Sequence, residues 1–317
     1  MKFSHLIVLF LFIAIKGPAQ AQLTITDEKL LQQKEDSLQV VARRIVFGLD
    51  AAERFRADSL FTRMLVRALK TPHSFQYPFD SVVNISRIYA PDSTFRIFSW
   101  QVMRDEDFVR RHGAIQVKTE DGSLKLFPLI DRTASYEDPL NQPGTPENWV
   151  GAIYYRILLN QHEGRKYYTL LGYDENSMAS TMKRLEVLHF RNDGTPVIGG
   201  AAYFSFAEDS IPKPDQVRFW IEYKKEGNAR LQYDEELTMI IFDHLIPENG
   251  EVEKKYTYIP DGDYEGFRWK NGKWVHVDKI FTFALKDGEA PAPIPVKEDK
   301  LTIPTGTGNQ VPRKKKN

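Results

Sequence analysis

The chain has 317 residues, contains no cysteine, and carries 43 basic and 43 acidic side chains. Without cysteine it cannot form a disulfide, a zinc–thiolate site or a thiol nucleophile. Because the charges balance, the chain as a whole does not attract nucleic acid or an anionic membrane surface, and neither is an expected partner.

Residues 1–21 have the pattern of a secretory signal peptide. Lys2 supplies a positive start, an apolar run covers residues 6–15, and the small residues of Ala19-Gln-Ala21 suit a cleavage point. The apolar run is shorter than the roughly twenty residues that cross a bilayer, which argues against the alternative of a retained membrane anchor. We therefore expect cleavage after Ala21, no transmembrane segment in the rest of the chain, and a periplasmic or secreted protein.

Residues 22–80 are predicted to form two helices that pack as a hairpin against a larger body. Each helix collects apolar side chains on one face. These are Leu38, Val41 and Ile45 in the first helix and Phe61, Leu65, Ala68 and Leu69 in the second. Asp50 and Glu53 have the spacing of a capping box at the start of the second helix, and Pro72 predicts its end.

From residue 81 to residue 284 the pattern changes to short strands rich in Val, Ile, Tyr, Phe and Trp. Turn segments separate them, such as "EDGS", "NDGT", "KEGN", "ENGE" and "KNGK". Asp-Gly and Asn-Gly readily adopt the positive φ angles that tight hairpins require. Since helix-length segments do not alternate with the strands, the sheet is predicted to be antiparallel.

The strands fall into about three units of four, which begin at "TFRIFSWQV", "KYYTLLGYD" and "ARLQYDEEL". Tandem four-stranded units are typical of propeller blades, although these units are longer and fewer than blades usually are. The predicted fold is mainly β, as a large antiparallel sheet or sandwich or as a propeller-like body. Residues 285–317 are rich in proline and end in "PRKKKN". They are predicted to form a disordered tail that is solvated rather than bound to nucleic acid or lipid.

The first strand of each unit ends on an aromatic residue, and in two units an Asp follows it. An Asp at this position opens a turn, because its carboxylate can accept from the backbone two residues on, and this is the simpler interpretation. If the units surround an axis, however, the strand ends gather on one face and form an aromatic rim that suits a glycan or a peptide. The candidate ligand-binding residues are Trp100, Tyr173, Asp174, Tyr233 and Asp234.

Motifs that bind phosphate or dinucleotides, or that serve zinc proteases and serine hydrolases, are absent from the sequence. His162-Glu163 starts like the zinc-protease motif but lacks its second histidine, and is predicted to be a turn. His189 and His244 occupy matching strands of the second and third units and could meet on one side of the sheet. Because a metal needs a third ligand, hydrogen-bonded structural histidines are favoured.

The segment "PDGDYEG" places Asp261, Asp263 and Glu265 at alternate positions, like the start of a calcium loop. The later bidentate Glu of that loop is missing, and exposed turns often crowd carboxylates without an ion. A glycosidase needs two carboxylates that face each other across a cleft, and the sequence pairs none. We therefore expect no metal site and no cofactor, and the sequence leaves any catalytic residues unidentified.

The segments "WVGAIYYRILL", "KYYTLLGYDEN", "RLEVLHF", "RLQYDEELTMIIFDHLIP" and "YIPDGDYEGFRWKNGKW" resemble a group of exported, β-rich proteins of unknown function from the Bacteroidota. The resemblance covers about residues 85–277. It implies a signal peptide and a β-rich body, and it implies no activity and no functional residues.

Three functions fit these patterns. The expected one is a non-catalytic, exported binding or accessory protein of the cell envelope, with a glycan or a peptide as its ligand. The alternative is a hydrolase that acts on an envelope or extracellular polymer through Asp or Glu residues. A third is a structural envelope protein that contacts other subunits. A deep cleft with paired carboxylates favours the hydrolase, whereas a shallow aromatic face favours binding.

Overall fold

The computed structural model describes residues 22–105 and 108–280. The predicted signal peptide and the predicted tail lie outside the described residues. Neither of the two α-helices in the described ranges is apolar enough along its length to cross a membrane.

Within the described ranges, two α-helices come first and β-strands follow. The helices are α1 (Ile25–Phe47) and α2 (Ala51–Leu69). The strands are β1 (Ser86–Tyr89), β2 (Phe95–Asp105), β3 (Phe108–Val117), β4 (Lys125–Ile130), β5 (Ile153–His162), β6 (Arg165–Asp174), β7 (Ser180–Phe190), β8 (Pro196–Ile198), β9 (Phe204–Phe206), β10 (Lys213–Gln216), β11 (Arg218–Lys224), β12 (Leu231–Asp234), β13 (Met239–Pro247), β14 (Tyr258–Lys270) and β15 (Lys273–Val277).

Side chains cap both helices at their first turns. Thr24 Oγ1 accepts from the N–H of Asp27 at 3.1 Å, and Asp50 Oδ1 accepts from the N–H of Glu53 at 2.7 Å. The Glu53 carboxylate in turn accepts from the N–H of Leu49 at 3.0 Å. These bonds satisfy amides that a helix start leaves without intrahelical partners. The predicted cap and the predicted hairpin are confirmed.

The apolar faces of α1 and α2 pack against the first sheet. Leu38 and Phe61 belong to a buried cluster that also contains Phe98 and Val102 of β2. All four side chains are at most 1% exposed. Burial of such side chains contributes about 1.5–3 kcal/mol each, so the hairpin is held mainly by this interface.

The strands form three sheets. The first has the order β1-β2-β3-β4, the second β11-β7-β6-β5 with β8 also paired to β7, and the third β10-β9-β15-β14-β13-β12. Adjacent strands pair antiparallel except β9 and β15, which pair in parallel. The prediction of a mainly β, sandwich-like body behind a helical hairpin is confirmed. Three strands are grouped differently from the sequence repeat, because β5 pairs with β6 in the second sheet, and β9 and β10 belong to the third sheet.

The second sheet lies between the other two. Alternate residues of β6 face opposite sides, as in any strand. Tyr168 and Leu170 join a buried cluster with Phe95 of the first sheet, whereas Leu171 joins a cluster with Phe267 of the third. Both faces of the second sheet are therefore covered, which explains why its strands read as nearly continuous apolar runs.

A buried ion pair lies inside this body. Arg218 Nε lies 2.9 Å from Glu186 Oε2, and both side chains are 0% exposed. The other Glu186 oxygen accepts from the hydroxyl of Tyr154, which itself accepts from the indole N–H of Trp149 at 2.7 Å. A buried charge is tolerated only with such partners, so this group serves packing rather than ligand binding.

Candidate functional site

Trp100, the first predicted rim residue, lies in the interface between the helices and the first sheet. Its side chain is 4% exposed, and its indole Nε1–H donates to Asp58 Oδ1 of α2 at 2.7 Å. The indole also stacks on His112 with a centroid separation of 5.5 Å. A buried tryptophan with these partners cannot line a ligand surface, so its place in an exposed rim is wrong.

Asp174, at the end of β6, is buried between two arginines. Its carboxylate accepts from Arg111 Nε at 2.8 Å and from the Arg184 guanidinium, and it is 1% exposed. Asp174 Oδ1 also accepts from the N–H of Asn176 at 3.0 Å, as the turn interpretation predicts. The neighbouring Tyr173 is half-buried, and burial together with the Glu175 carboxylate raises the pKa of its phenol.

Tyr233 and Asp234 lie on β12, an edge strand of the third sheet. The Arg156 guanidinium lies over the Tyr233 ring at 5.4 Å. Asp234 Oδ1 accepts from the N–H groups of Glu236 and Leu237 at 3.0 and 2.9 Å. The two similar segments that end β6 and β12 therefore share turn chemistry, but the five predicted residues do not form one rim.

A different cleft, of about 450 Å³, opens where β6 begins and β7 ends. We call it the Tyr167 groove, and its principal lining residues are Arg165, Tyr167, His189, Phe190, Arg191 and Tyr203. The Tyr167 ring lies 5.7 Å from the Tyr203 ring and 6.3 Å from the His189 imidazole, measured between centroids. A cleft of this volume is large enough for a small ligand, and its walls combine aromatic rings with charged and hydrogen-bonding groups.

Two arginines line this groove. Arg165 is the first residue of β6, and Arg191 comes directly after the last residue of β7. Both side chains are exposed, and both charges act on the His189 imidazole. Neither guanidinium forms an ion pair within the described residues. The pKa of the exposed Asp193 is lowered by hydrogen bonds from Thr195 and, to a smaller extent, by the Arg191 charge, so this carboxylate offsets part of the positive charge of Arg191.

The adjacent Lys166 does not add to this charge. Its ammonium lies 2.8 Å from Asp92 Oδ2, and that carboxylate also accepts from the Tyr168 hydroxyl at 2.9 Å. The pKa of Asp92 is lowered because these hydrogen bonds outweigh the opposing effect of burial. The two arginines are thus the cations that remain available at the groove.

The groove also alters the titration of its polar residues. Burial lowers the pKa of His189, and the charges of Arg191 and Arg165 lower it further. Burial raises the pKa of Tyr203 to about 12. His189 is therefore a neutral imidazole near pH 7, and the Tyr203 hydroxyl lies 3.3 Å from its Nδ1. The groove offers neutral hydrogen-bonding groups beside two fixed positive charges.

The other residues considered from the sequence have separate environments. His189 lines the Tyr167 groove, whereas His244 lies 2.8 Å from Asp261 on the third sheet, so the two histidines do not form one site. Asp263 pairs with Lys279, and Glu265 lies 3.0 Å from His276 Nε2. The alternating carboxylates therefore do not converge on one calcium ion. His162-Glu163 is the predicted turn, since Glu163 and Gly164 connect β5 to β6.

Comparison with known proteins finds no matching family model, no similar curated protein and no similar solved structure.

Proposed function

We propose that this protein is a non-catalytic binding protein of the cell envelope and that the Tyr167 groove holds an acidic saccharide. The observation that carries the proposal is the pair of arginines, Arg165 and Arg191, that line an aromatic cleft and form no ion pair within the described residues. An anionic ligand in the cleft would be attracted by both charges, which already act together on His189. Arginine suits a carboxylate because its planar group can donate two parallel hydrogen bonds.

The walls of the groove suit sugar rings. Tyr167 and Phe190 present aromatic surface that can cover the apolar face of a sugar. His189 and Tyr203 supply neutral donors and acceptors, which match hydroxyl groups. A saccharide that carries a carboxylate, such as a uronic acid, meets both parts of the site.

A peptide ligand is less well served by this geometry. Peptides often bind by adding a strand to a free sheet edge. In the groove, residues 165–167 of β6 pair only with β5, because the pairing of β6 with β7 begins at Tyr168. This open stretch is short and lies between two strands of the same sheet, so it offers a peptide few backbone partners.

The composition of the groove supports binding without hydrolysis. Glycosidases use two carboxylates that flank the scissile bond. None of the residues that line the groove in the described part of the chain is Asp or Glu. The predicted signal peptide supports an activity outside the cytoplasm, where envelope polysaccharides are available.

The proposal is tested by measuring the affinity of the purified protein for an oligogalacturonate by calorimetry. A neutral maltooligosaccharide of equal length serves as the comparison ligand. We expect binding to the acidic ligand alone, and a loss of about tenfold or more in Arg165→Ala and in Arg191→Ala. Arg63→Ala is the matched control, because Arg63 is an exposed arginine on α2.

Two results would overturn the proposal. One is equal affinity for the neutral and the acidic oligosaccharide. The other is unchanged affinity in the double variant of Arg165 and Arg191. If the protein binds an acidic peptide and none of the acidic saccharides tested, then the saccharide is rejected as the ligand. The arginines would still be the binding site.

A further inference from the structure

The parallel pairing of β9 and β15 gathers three metal-ligating side chains at one sheet edge. Because the two strands run in the same direction, the chain leaves both at the same end. Asp209 comes three residues after β9, and Asp278 comes directly after β15. His276 is near the end of β15 itself. Residues separated by 67 positions, Asp209 and His276, are thus brought into contact.

The three side chains are close enough to share one ion. His276 Nδ1 lies 2.9 Å from Asp209 Oδ1 and 3.6 Å from Asp278 Oδ1. One ligand atom from each residue lies within 4.8 Å of the others. Ligand atoms at zinc distances in a tetrahedral site are roughly 3.4 Å apart, so only small side-chain adjustments would enclose an ion.

Asp209 has an oxygen that no described residue satisfies. Its side chain is 3% exposed, and its Oδ2 is a buried acceptor without a hydrogen-bond partner in the described part of the chain. Leaving a buried carboxylate oxygen unpaired is costly, and native proteins generally avoid it. A cation bound to Asp209 would remove this cost.

The far side of the imidazole is arranged as metal-bound histidines usually are. His276 Nε2 lies 3.0 Å from Glu265 Oε2, so its N–H can donate there while Nδ1 faces the two aspartates. A carboxylate in this position fixes the tautomer and the ring orientation of a ligating histidine. The rings of Phe206 and Phe267 lie 5.1 and 5.2 Å from the imidazole and hold it within an apolar shell.

We propose that Asp209, His276 and Asp278 bind a divalent transition-metal ion, Zn²⁺ or Mn²⁺, with His276 Nδ1 as the nitrogen ligand and Glu265 as its supporting carboxylate. The mixed set of one nitrogen and two carboxylates suits these ions better than calcium, which prefers oxygen ligands alone. Two carboxylates and a neutral imidazole also balance the charge of the ion. The site is separate from the Tyr167 groove and does not depend on the proposed ligand.

Calorimetric titration of the chelator-treated protein with Zn²⁺, Mn²⁺ or Ca²⁺ tests the site, and elemental analysis gives the stoichiometry. We expect one Zn²⁺ or Mn²⁺ per chain and much weaker binding of Ca²⁺. Asp278→Asn is the decisive variant, because that side chain is 51% exposed and its replacement leaves the core intact. We expect it and Asp209→Asn to weaken binding strongly.

Asp263→Asn is the matched control, since Asp263 is an exposed carboxylate on the same sheet and lies outside the cluster. It should bind as the original protein does. Glu265→Gln should retain the site with an affinity about 10–100-fold lower. With Co²⁺ as a probe, the visible spectrum should show nitrogen and oxygen coordination and should change in Asp278→Asn.

The competing interpretation is that His276 is a cation held by two carboxylates with no metal. It predicts no stoichiometric uptake of any of the three ions. That result, or equal Zn²⁺ affinity in the original protein, Asp278→Asn and Asp263→Asn, would overturn the proposal.

Discussion

Arg111 and Asp174 lie 63 positions apart in the chain, and the Arg111 Nε–H donates to Asp174 Oδ1 at 2.8 Å inside the protein. Arg111 belongs to β3 of the first sheet and Asp174 to β6 of the second. Arg184 of β7 donates to the other oxygen of the same carboxylate. Asp174 is therefore the buried anion that joins two layers of the body.

We expect Asp174→Ala to destabilise the protein by about 3–5 kcal/mol, because it leaves the buried Arg184 without a carboxylate and Arg111 with Asp131 as its only carboxylate partner. Asp234→Ala is the matched control. Asp234 ends the similar segment on β12 but accepts only from backbone amides of its own turn, so we expect a cost of about 1 kcal/mol. Urea unfolding of the three proteins measures the difference. If the two substitutions lower the free energy of unfolding equally, then Asp174 stabilises only its own turn and not the contact between the sheets.

This pair of aspartates also shows what could be predicted from the sequence. The turn role of both follows from local chemistry, because the carboxylate bonds to the backbone two residues on. The hairpin of α1 and α2 follows from periodicity in the same way. The burial of Asp174 depends on Arg111 from another sheet, and no local pattern signals that contact.

The groove was missed for the same reason. Arg165 and Arg191 each flank an aromatic strand segment, which is a weak signal by itself. Only the antiparallel pairing of β6 with β7 brings the start of one strand and the end of the other to the same cleft. Likewise, Asp209 and His276 meet because β9 and β15 run in parallel, whereas the turn pattern indicates antiparallel hairpins throughout.

The hairpin between β14 and β15 supports a second prediction. Asn271 and Gly272 have φ angles of 51° and 79°. A two-residue hairpin turn of type I′ requires positive φ at both central residues. An added Cβ at Gly272 would lie 2.6 Å from Cδ2 of His162. Gly272→Ala should therefore cost more than the roughly 1–2 kcal/mol of left-handed backbone strain alone.

Gly164→Ala separates the two effects. Gly164 holds the same place in the β5–β6 turn, with φ of 73°, and an added Cβ would meet nothing within 4 Å. It should cost only the backbone strain. Thermal unfolding of both variants measures this, and a Gly164→Ala cost equal to or above that of Gly272→Ala would contradict the role of the His162 contact.

A third prediction concerns the attachment of α2 to the first sheet. Trp100→Phe keeps the aromatic packing but removes the indole donor to Asp58, whose side chain is 4% exposed. Since the carboxylate loses a hydrogen bond in a buried place, we expect a loss of about 1.5–3 kcal/mol. Trp220→Phe is the control, because the Trp220 indole N–H has no hydrogen-bond acceptor among the described residues. Similar unfolding midpoints for both variants in urea would contradict the prediction.

The titration of His189 gives a fourth prediction, which reports directly on the two arginines. Burial first, and then Arg191 and Arg165, lower the pKa of His189 below its ordinary 6.5. The neutral imidazole is thus favoured by folding. This contribution to stability is present above pH 6.5 and is lost as the pH falls through the lower pKa of the folded protein.

Proton NMR of the His189 ring measures this pKa in the intact protein. Arg191→Ala should raise it part of the way towards 6.5, because one positive charge is removed while the burial of the ring remains. Arg63→Ala should leave it unchanged. A bound carboxylate between the arginines should raise it as well, since a negative charge near the imidazole favours its protonated form. If the pKa of His189 is the same with and without Arg191, then the guanidinium does not act on the groove, and the electrostatic basis for an acidic ligand is lost.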